Sequence, residues 1–357
     1  YLKEIIKDYK TRMGTETIEA SFLSIFALIT FFIFLLISKF SHKIKSGSLL
    51  DSNFEKPQAF HETPVTRRGG LACVLSMFIF YGIYFLLYSE ILYEHLLIGI
   101  LMFFVGFIDD LRINIKPSQR LMLMVMFLFI LIYLFPIQIL NIDIQFLSFL
   151  DSSKLFSTIF VLLCFLFIIN GANLIDGFNG LLSINLIIIN VILTYINITN
   201  NIFDIAIISI SQIIILLSFT LFNFPNAKIF LGDGGAYLMG SIIALNIILT
   251  NNFNPQISSF FFCTLVFYLF FEVFFSFLRK LYQKKSPIHP DGKHLHMLVF
   301  YKISHKHGIL KANYLTSILI NFCYFILILP GLYFINDPIL SRYWFFALLL
   351  IYTVIYI

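Results

Sequence analysis

Residues 20–38 read ASFLSIFALITFFIFLLIS and contain no charged side chain. A helix of this length rises about 30 Å, which is the thickness of the hydrocarbon core of a bilayer. Similar runs recur along the 357-residue chain, which is 59% hydrophobic and only 12% charged. Soluble domains carry about 25% charged residues. The composition therefore excludes a water-soluble globule and predicts an all-α, polytopic bundle of transmembrane helices.

The apolar runs predict about eleven spans within one integral-membrane domain that covers residues 1–357. One connection between spans, residues 137–146, alternates apolar and polar side chains and predicts a small extracytoplasmic hairpin. The predicted spans lie near residues 19–38, 69–88, 91–108, 119–135, 155–170, 180–197, 202–222, 235–250, 257–278, 314–330 and 341–357.

The distribution of Lys and Arg predicts the orientation of the chain, because cytoplasmic loops retain an excess of both residues. The loops after odd-numbered spans hold 18 of the 24 Lys and Arg residues, and the N-terminal tail and even-numbered loops hold 6. We therefore expect the odd-numbered loops in the cytoplasm and the N-terminus outside. In a membrane protein the placement of Lys and Arg is informative and their sum is not, so the formal net charge of +5 gives no reason to expect a nucleic-acid partner.

The odd-numbered loops also contain the polar residues that look placed for chemistry. In the first of these loops, Arg67 and Arg68 stand just before a predicted span, next to a glycine pair. Two guanidinium groups at a membrane entry suit an anionic headgroup or a phosphate. The alternative is a positive anchor that only fixes the topology.

Two adjacent carboxylates, Asp109 and Asp110, end the third predicted span. The C-terminus of a helix favours cations, so two anions there oppose the local dipole. A divalent metal, a neighbouring arginine or a raised pKa would offset this, and each is typical of a functional site. The alternative is a solvated helix end.

Asn170, Asn173 and Asp176 are spaced three residues apart at the end of the fifth predicted span. If the helix persists, this spacing puts them on roughly one face. Polar groups within a span are costly unless they bond one another, line water or hold an ion. Hydrogen bonding between helices is the alternative interpretation.

Asp233 lies among glycines at the start of the eighth predicted span, where it could also serve as a helix N-cap. Together with Asp109, Asp110 and Asp176 it makes four carboxylates on one predicted membrane face. Hard oxygen ligands of this kind suit Mg²⁺, which takes one or two protein oxygens and completes its shell with substrate phosphates.

The most basic loop contains His294 and His296. Two residues apart, they share a face in an extended backbone but not in a helix. Zinc would need two further ligands, and no cysteine is near. Contact with a diphosphate is the favoured interpretation, whereas His305 and His307 are expected at the surface or the membrane interface.

These motifs occur together, and in this order, in a known family. The chain resembles the polyprenyl-phosphate N-acetylhexosamine-1-phosphate transferases of glycosyltransferase family 4, bacterial enzymes that begin O-antigen, teichoic acid and related glycans. The resemblance covers residues 51–300 and rests on His61–Gly70, Asp109-Asp110, Asn170–Leu181, Phe230–Gly235 and Pro290–His296.

The resemblance implies transfer of an N-acetylhexosamine-1-phosphate from a UDP-sugar to undecaprenyl phosphate, with release of UMP, in the bacterial inner membrane. It implies dependence on Mg²⁺, which Mn²⁺ could replace. The implied catalytic residues are Asp109, Asp110 and Asp176, the implied metal ligands are Asn173 and Asp233, and the implied substrate-binding residues are Arg67, Asn170, His294 and His296.

Two departures from the family pattern bear on the substrate. Many relatives have a third histidine where Met297 stands, and several have an aspartate where Asn179 stands. The first leaves the sugar open, and the second argues against a proton-transfer role for Asn179. The muramoyl-pentapeptide transferases are the nearer alternative, an ion-coupled transporter is the alternative from another class, and a homodimer stays open as the oligomeric state.

The charge asymmetry generates a topological prediction. A reporter fused after Lys285 should report the cytoplasm, and one fused after Ser152 should report the opposite side, as measured with paired phosphatase and fluorescent-protein fusions. The reverse pattern would contradict the site hypothesis, because a cytoplasmic UDP-sugar could not then reach the acidic residues.

Overall fold

The fold comes from a computed structural model that describes residues 2–41, 49–51, 64–113, 115–144, 153–286 and 292–356. The side chains of residues 2–19, 41, 50 and 51 are not described. Five residues of the sequence motifs, His61, Glu62, Thr63, Pro290 and Asp291, lie outside these ranges.

The described ranges contain thirteen helices and one pair of two-residue strands. The helices are α1 (Leu2–Ser41), α2 (Gly69–Tyr88), α3 (Tyr93–Asp110), α4 (Pro117–Leu134), α5 (Lys154–Ile175), α6 (Leu181–Thr199), α7 (Phe203–Asn223), α8 (Gly232–Phe253), α9 (Ser259–Leu265), α10 (Phe267–Tyr282), α11 (Leu295–His307), α12 (Ile309–Tyr333) and α13 (Pro338–Tyr356). The antiparallel strands are β1 (Leu50–Asp51) and β2 (Val65–Thr66).

The architecture confirms the prediction of an all-α, polytopic membrane protein. Within the described part of the chain, nine helices are long and apolar enough to cross a membrane. The count rises to ten if α9 and α10, which meet at 75°, form one bent span. Helix α3 overlaps the predicted span 91–108 but carries three carboxylates in its 18 residues, which keeps it outside that set.

Helix α8 lies at the centre of the bundle and is almost entirely buried. It packs against α2, α3, α5, α6 and α7, and its most extensive contact is with α3. That contact is close because α3 presents Gly106 to the backbone of α8, where a Cβ atom would lie 2.4 Å from the carbonyl oxygen of Asp233. Farther along the same pair, His95 Nε2 lies 2.9 Å from Asn246 Oδ1.

The segment before α2 is tied to the segment before α8 by main-chain hydrogen bonds. The N–H of Phe230 donates to Thr66 O, and the N–H groups of Gly69 and Gly70 donate to Phe230 O and Leu231 O. A Cβ atom on Gly70 would lie 2.6 Å from Gly235 N, so the two backbones approach closely here. These bonds place the residue that precedes α2, and with it Arg67, beside the start of α8.

The hairpin expected at 137–146 does not form in its described part, since residues 137–144 contain no strand. Residues 145 and 146 lie outside the description. The loop is instead held by side chains of the bundle: Asp143 Oδ2 accepts hydrogen bonds from Ser258 Oγ and Ser259 N, and Asn252 Nδ2 donates to Gln138 O. The alternation of apolar and polar residues reflects anchoring to two helix ends, not strand pairing.

The close approach of α3 to α8 predicts that Gly106→Ala destabilises the protein. The added Cβ must push two backbones apart, and overpacking of this kind costs about 1–3 kcal/mol. We expect a lower midpoint of thermal unfolding in detergent.

Gly82→Ala is the matched control, because Gly82 also lies inside a helix but a Cβ there meets no atom within 4 Å. Equal midpoints for the two variants would contradict the close packing of α3 on α8.

Candidate active site

Five helix ends meet at one end of the bundle. They are the starts of α2, α4 and α8 and the ends of α3 and α5. Their side chains connect: Arg67 to Asp110 and Asp233, Arg120 to Asp109 and Asp233, and Asn173 to Tyr237. Of the nine site residues predicted from the sequence, this end holds the four aspartates, Arg67 and Asn173.

The carboxylate of Asp110 caps the N-terminus of α8. Its Oδ1 accepts the N–H of Asp233 at 3.1 Å, and its Oδ2 accepts the N–H of Gly234 at 2.9 Å. The side chain is only 2% exposed. Gly232 leaves the necessary space, since its φ is +78° and a Cβ there would lie 2.7 Å from Asp110 Oδ2.

This cap bears on the interpretation of Asp233 as a helix N-cap. The residue before α8 is Leu231, which gives no side-chain cap, and Asp233 lies within the first turn. The N-cap interpretation of Asp233 is therefore wrong, because a neighbouring helix supplies the capping carboxylate. The side chain of Asp233 is left to pair with arginines.

Arg120 lies between two of the carboxylates. Its Nη1 is 2.9 Å from Asp109 Oδ2 and 2.7 Å from Asp233 Oδ2, and its guanidinium lies over the ring of Tyr237. Arg67 approaches from the other side, with Nη1 3.7 Å from Asp110 Oδ1 and 3.9 Å from Asp233 Oδ1. Two arginines and the N-terminus of α8 thus offset the anions that oppose the dipole of α3.

Only part of the predicted polar face of the fifth span contacts the acidic cluster. Helix α5 persists to Ile175, so Asn170 and Asn173 lie one turn apart as predicted. The Asn173 amide donates to Tyr237 Oη at 3.4 Å, but Asn170 Nδ2 donates to the carbonyl of Leu166 in its own helix. The structure therefore brings Asn173 to the cluster and ties Asn170 to its own backbone.

Asp176 follows α5 and is electrostatically coupled to the cluster. Burial raises its pKa well above the ordinary value, and the negative charge of Asp233 raises it further. Arg67 opposes this rise, and Asp110 adds to it. A cation near these groups would stabilise the charged form of all of them.

His294 and His296 form a separate, buried cluster around Glu272 of α10. His294 Nδ1 lies 2.9 Å from Glu272 Oε2, and the N–H of Leu295 donates to Glu272 Oε1 at 3.1 Å. The two imidazole rings are parallel, with centroids 5.4 Å apart. His294 is 1% exposed and His296 is fully buried, so the basic loop turns both rings inward.

Burial lowers the pKa of His296, and the Glu272 carboxylate partly offsets that effect. By contrast, His305 and His307 are exposed in the last turn of α11, which confirms the prediction that they lie at the surface. Asn179 is held by its neighbours, since its N–H donates to Asn313 Oδ1 and its amide donates to Pro225 O.

The donor set fits one mode of Mg²⁺ binding. Among the residues that the structure describes, no group of three or more His, Cys, Asp or Glu side chains is arranged to hold a metal. This disfavours a cage built from protein ligands alone. Mg²⁺ typically uses one or two protein carboxylates together with substrate phosphates, and Asp233, whose side chain is 17% exposed, suits that mode.

A family model matches at this point of the chain: residues 92–251 match glycosyl transferase family 4. The chain belongs to glycosyl transferase family 4. The matched segment contains the four aspartates, Arg120 and Asn173, whereas Arg67 and the histidine cluster lie outside it.

Curated relatives come from two branches of polyprenyl-phosphate transferases. The chain is 32% identical over 225 residues to the phospho-N-acetylmuramoyl-pentapeptide-transferase of Streptococcus sanguinis (strain SK36), covering 58% of this chain and 66% of that protein. It is 28% identical over 146 residues to the undecaprenyl-phosphate alpha-N-acetylglucosaminyl 1-phosphate transferase of Thermotoga maritima, covering 41% and 44%. The matches thus span between about two fifths and two thirds of these relatives, and they do not separate the two branches.

Sequence reasoning missed two charged residues of this family 4 chain. Arg120 was visible only as positive charge before the fourth span, and Glu272 only as one carboxylate inside an apolar run. Sequence reasoning also missed neutral polar side chains within the spans. The buried polar residues are therefore not confined to the end of the bundle that holds the acidic cluster. These buried amides include Asn185, Asn190, Asn197, Gln212 and Asn246.

The cap on α8 predicts different consequences for the two adjacent aspartates. Asp110→Asn offers one acceptor where two N–H groups need one each, and an unsatisfied buried donor costs about 1–3 kcal/mol. We expect a lower midpoint of thermal unfolding for Asp110→Asn than for Asp109→Asn. Asp109 is the matched control because its side chain is 36% exposed and pairs with the guanidinium of Arg120 instead of the backbone of α8.

Proposed function

We propose that this chain transfers an N-acetylhexosamine-1-phosphate from a UDP-sugar to undecaprenyl phosphate, releasing UMP, at the cytoplasmic face of a bacterial inner membrane. The observation that carries the proposal is the cluster of Asp109, Asp110, Asp176 and Asp233 with two arginines at one end of an apolar bundle. A lipid acceptor can approach such a site from the bilayer, and a soluble donor can approach it from water. Phosphoryl transfer suits it, because catalysis of that reaction is chiefly positioning and charge stabilisation.

The arginines suit the two phosphate-bearing substrates. Arg67 and Arg120 are paired with carboxylates in the structure and remain 25% and 21% exposed. A guanidinium that already pairs with a carboxylate can pair with a phosphate oxygen in the same way. Arg67, which precedes α2 at the membrane entry, is the residue we assign to the acceptor phosphate.

Asp233 with Asn173 would hold Mg²⁺, whose charge would stabilise the negative charge that develops on the transferred phosphoryl group. Asp110 is committed to the backbone of α8, so it keeps Asp233 in place and is poorly available as a base. Asp109 is the more exposed member of the pair and is the group we assign to accept a proton from the acceptor phosphate. The ionised acceptor oxygen then attacks the phosphorus next to the sugar, and the bond to UMP breaks.

A second candidate is transfer of phospho-N-acetylmuramoyl-pentapeptide. It is supported by the Streptococcus sanguinis relative, which matches a larger part of this chain than the Thermotoga maritima relative does. The reaction and the acceptor are the same, and only the sugar of the donor differs. An ion-coupled transporter is less well supported, because the charged groups of the site lie at helix ends and not in broken helices at mid-membrane.

The purified protein should release UMP when undecaprenyl phosphate, Mg²⁺ and UDP-N-acetylglucosamine are supplied together, as measured by chromatography of the nucleotide. UDP-N-acetylmuramoyl-pentapeptide as the only donor tests the second candidate. EDTA should stop the release, and Mg²⁺ should restore it. Absence of UMP with every UDP-sugar tested would contradict the proposal.

Asp233→Asn should abolish this release, by at least roughly 10²-fold, while the protein stays monodisperse in detergent. The reason is that Asp233 does not cap its own helix, so its loss removes a charge from the site and leaves the α8 cap intact. Asp204→Asn is the matched control, since Asp204 also lies in the first turn of a helix, α7, and bonds Tyr84. Retained activity of Asp233→Asn would refute the ligand role.

A further inference from the structure

Glu272 is a buried carboxylate that contacts the segment containing His294 and His296. It lies on α10, is 1% exposed, and contacts three groups of the histidine segment: His294 Nδ1 at 2.9 Å, Leu295 N at 3.1 Å and His296 Nδ1 at 3.7 Å. A buried carboxylate without such partners would be strongly unfavourable. The three contacts therefore make Glu272 the point to which the start of α11 is attached.

The contact with His294 also determines where that imidazole carries its proton. An ionised carboxylate only accepts hydrogen bonds, so Nδ1 of His294 must be the protonated nitrogen. A carboxylate paired with one ring nitrogen in this way sets the tautomer and the ring orientation for whatever the other nitrogen contacts. Glu272 thus controls the chemical character of the opposite edge of His294.

His296 is held parallel to His294 and carries an unsatisfied group. Its Nδ1 lies 3.2 Å from Tyr268 Oη, and the edge of its ring meets Phe178. Its Nε2 is completely buried and has no hydrogen-bond partner in the described chain. An unpartnered, buried nitrogen of this kind is expected where a ligand supplies the missing partner.

The histidine cluster is connected to the acidic cluster through a short segment. Phe178, whose ring centroid is 5.5 Å from that of His296, follows Asp176 by two residues. Asp176 is coupled to Asp233 and Arg67. The short segment of chain after α5 therefore borders both clusters, and this connection is what lets one donor diphosphate be considered for both.

We propose that Glu272 is a positioning residue for the donor diphosphate: it holds His294 with Nδ1 protonated, keeps His296 parallel to it, and so directs the Nε2 edges of the pair to the diphosphate oxygens. This inference rests on the proposed function, since it presumes a UDP-sugar donor. Glu272 does not itself touch the substrate, because its carboxylate is occupied by the histidines and by Leu295.

The test uses Glu272→Gln. Gln keeps the size of the side chain and can still accept the N–H of Leu295, but its amide N–H₂ then faces His294 and requires the other tautomer. We expect kcat/KM for UDP-N-acetylglucosamine, or for whichever UDP-sugar the wild-type protein uses, to fall roughly 10–100-fold, as for other partners that orient a functional histidine. The KM for undecaprenyl phosphate and the midpoint of thermal unfolding should change little.

A double-mutant cycle separates positioning from general damage. If Glu272 acts through His294, then Glu272→Gln should cause a much smaller further loss in a His294→Gln background than in the wild type. His305→Gln is the matched control, because His305 is an exposed histidine on the same helix and its substitution should leave the kinetics unchanged.

Three results would overturn the inference. They are normal kinetics for Glu272→Gln, equal losses in both backgrounds, and parallel losses of stability and of activity toward both substrates. A wild-type protein that releases no UMP from any UDP-sugar overturns the proposed function and this inference together. An active wild-type protein with any of the three results overturns the positioning role alone.

Discussion

The bond between the carboxylate of Asp110 and the first turn of α8 is the interaction on which the arrangement of the site depends. It joins the end of one helix to the start of another, and it is possible only because Gly106 and Gly232 leave no Cβ atoms between them. The bond satisfies two N–H groups that a helix N-terminus leaves unpaired. Because Asp110 caps the helix, the carboxylate of Asp233 does not, and it pairs with Arg67 and Arg120.

The negative charges of the candidate site are balanced by nearby positive groups. Several carboxylates lie together, and the structure neutralises them with two guanidinium groups and a helix dipole. In the reaction we propose, a metal ion would pair with the carboxylates and substrate phosphates would pair with the arginines. The charges that neutralise one another in this structure are of the kinds that a phosphoryl-transfer reaction needs.

The cluster of Glu272, His294 and His296 contains the same kind of contact between a buried carboxylate and a helix N-terminus. Glu272 accepts the N–H of Leu295 at the start of α11, as Asp110 accepts the N–H groups at the start of α8. In both cases a buried carboxylate on one helix holds the N-terminus of another, and a candidate site residue lies in or beside the turn that it holds. Asp233 follows the first cap, and His294 and His296 flank the second. These two helix ends are thus held in place by buried carboxylates where chemistry is expected.

The sequence by itself determined the membrane class, the approximate positions of the spans and most of the acidic residues of the site. These follow from local properties: apolar runs of fixed length, and carboxylates too costly to place in a span without a reason.

Only the tertiary structure decided which partner each of these side chains contacts. Asp233 looks like a cap in its own segment, yet Asp110 caps it from another helix. Arg120 looks like a loop charge, yet it bridges two aspartates. His294 and His296 look like diphosphate contacts in a basic loop, yet they are buried around Glu272, a carboxylate more than twenty residues away in the chain. Each of these assignments depends on a contact between distant segments, and no local pattern encodes the distance between two helix ends.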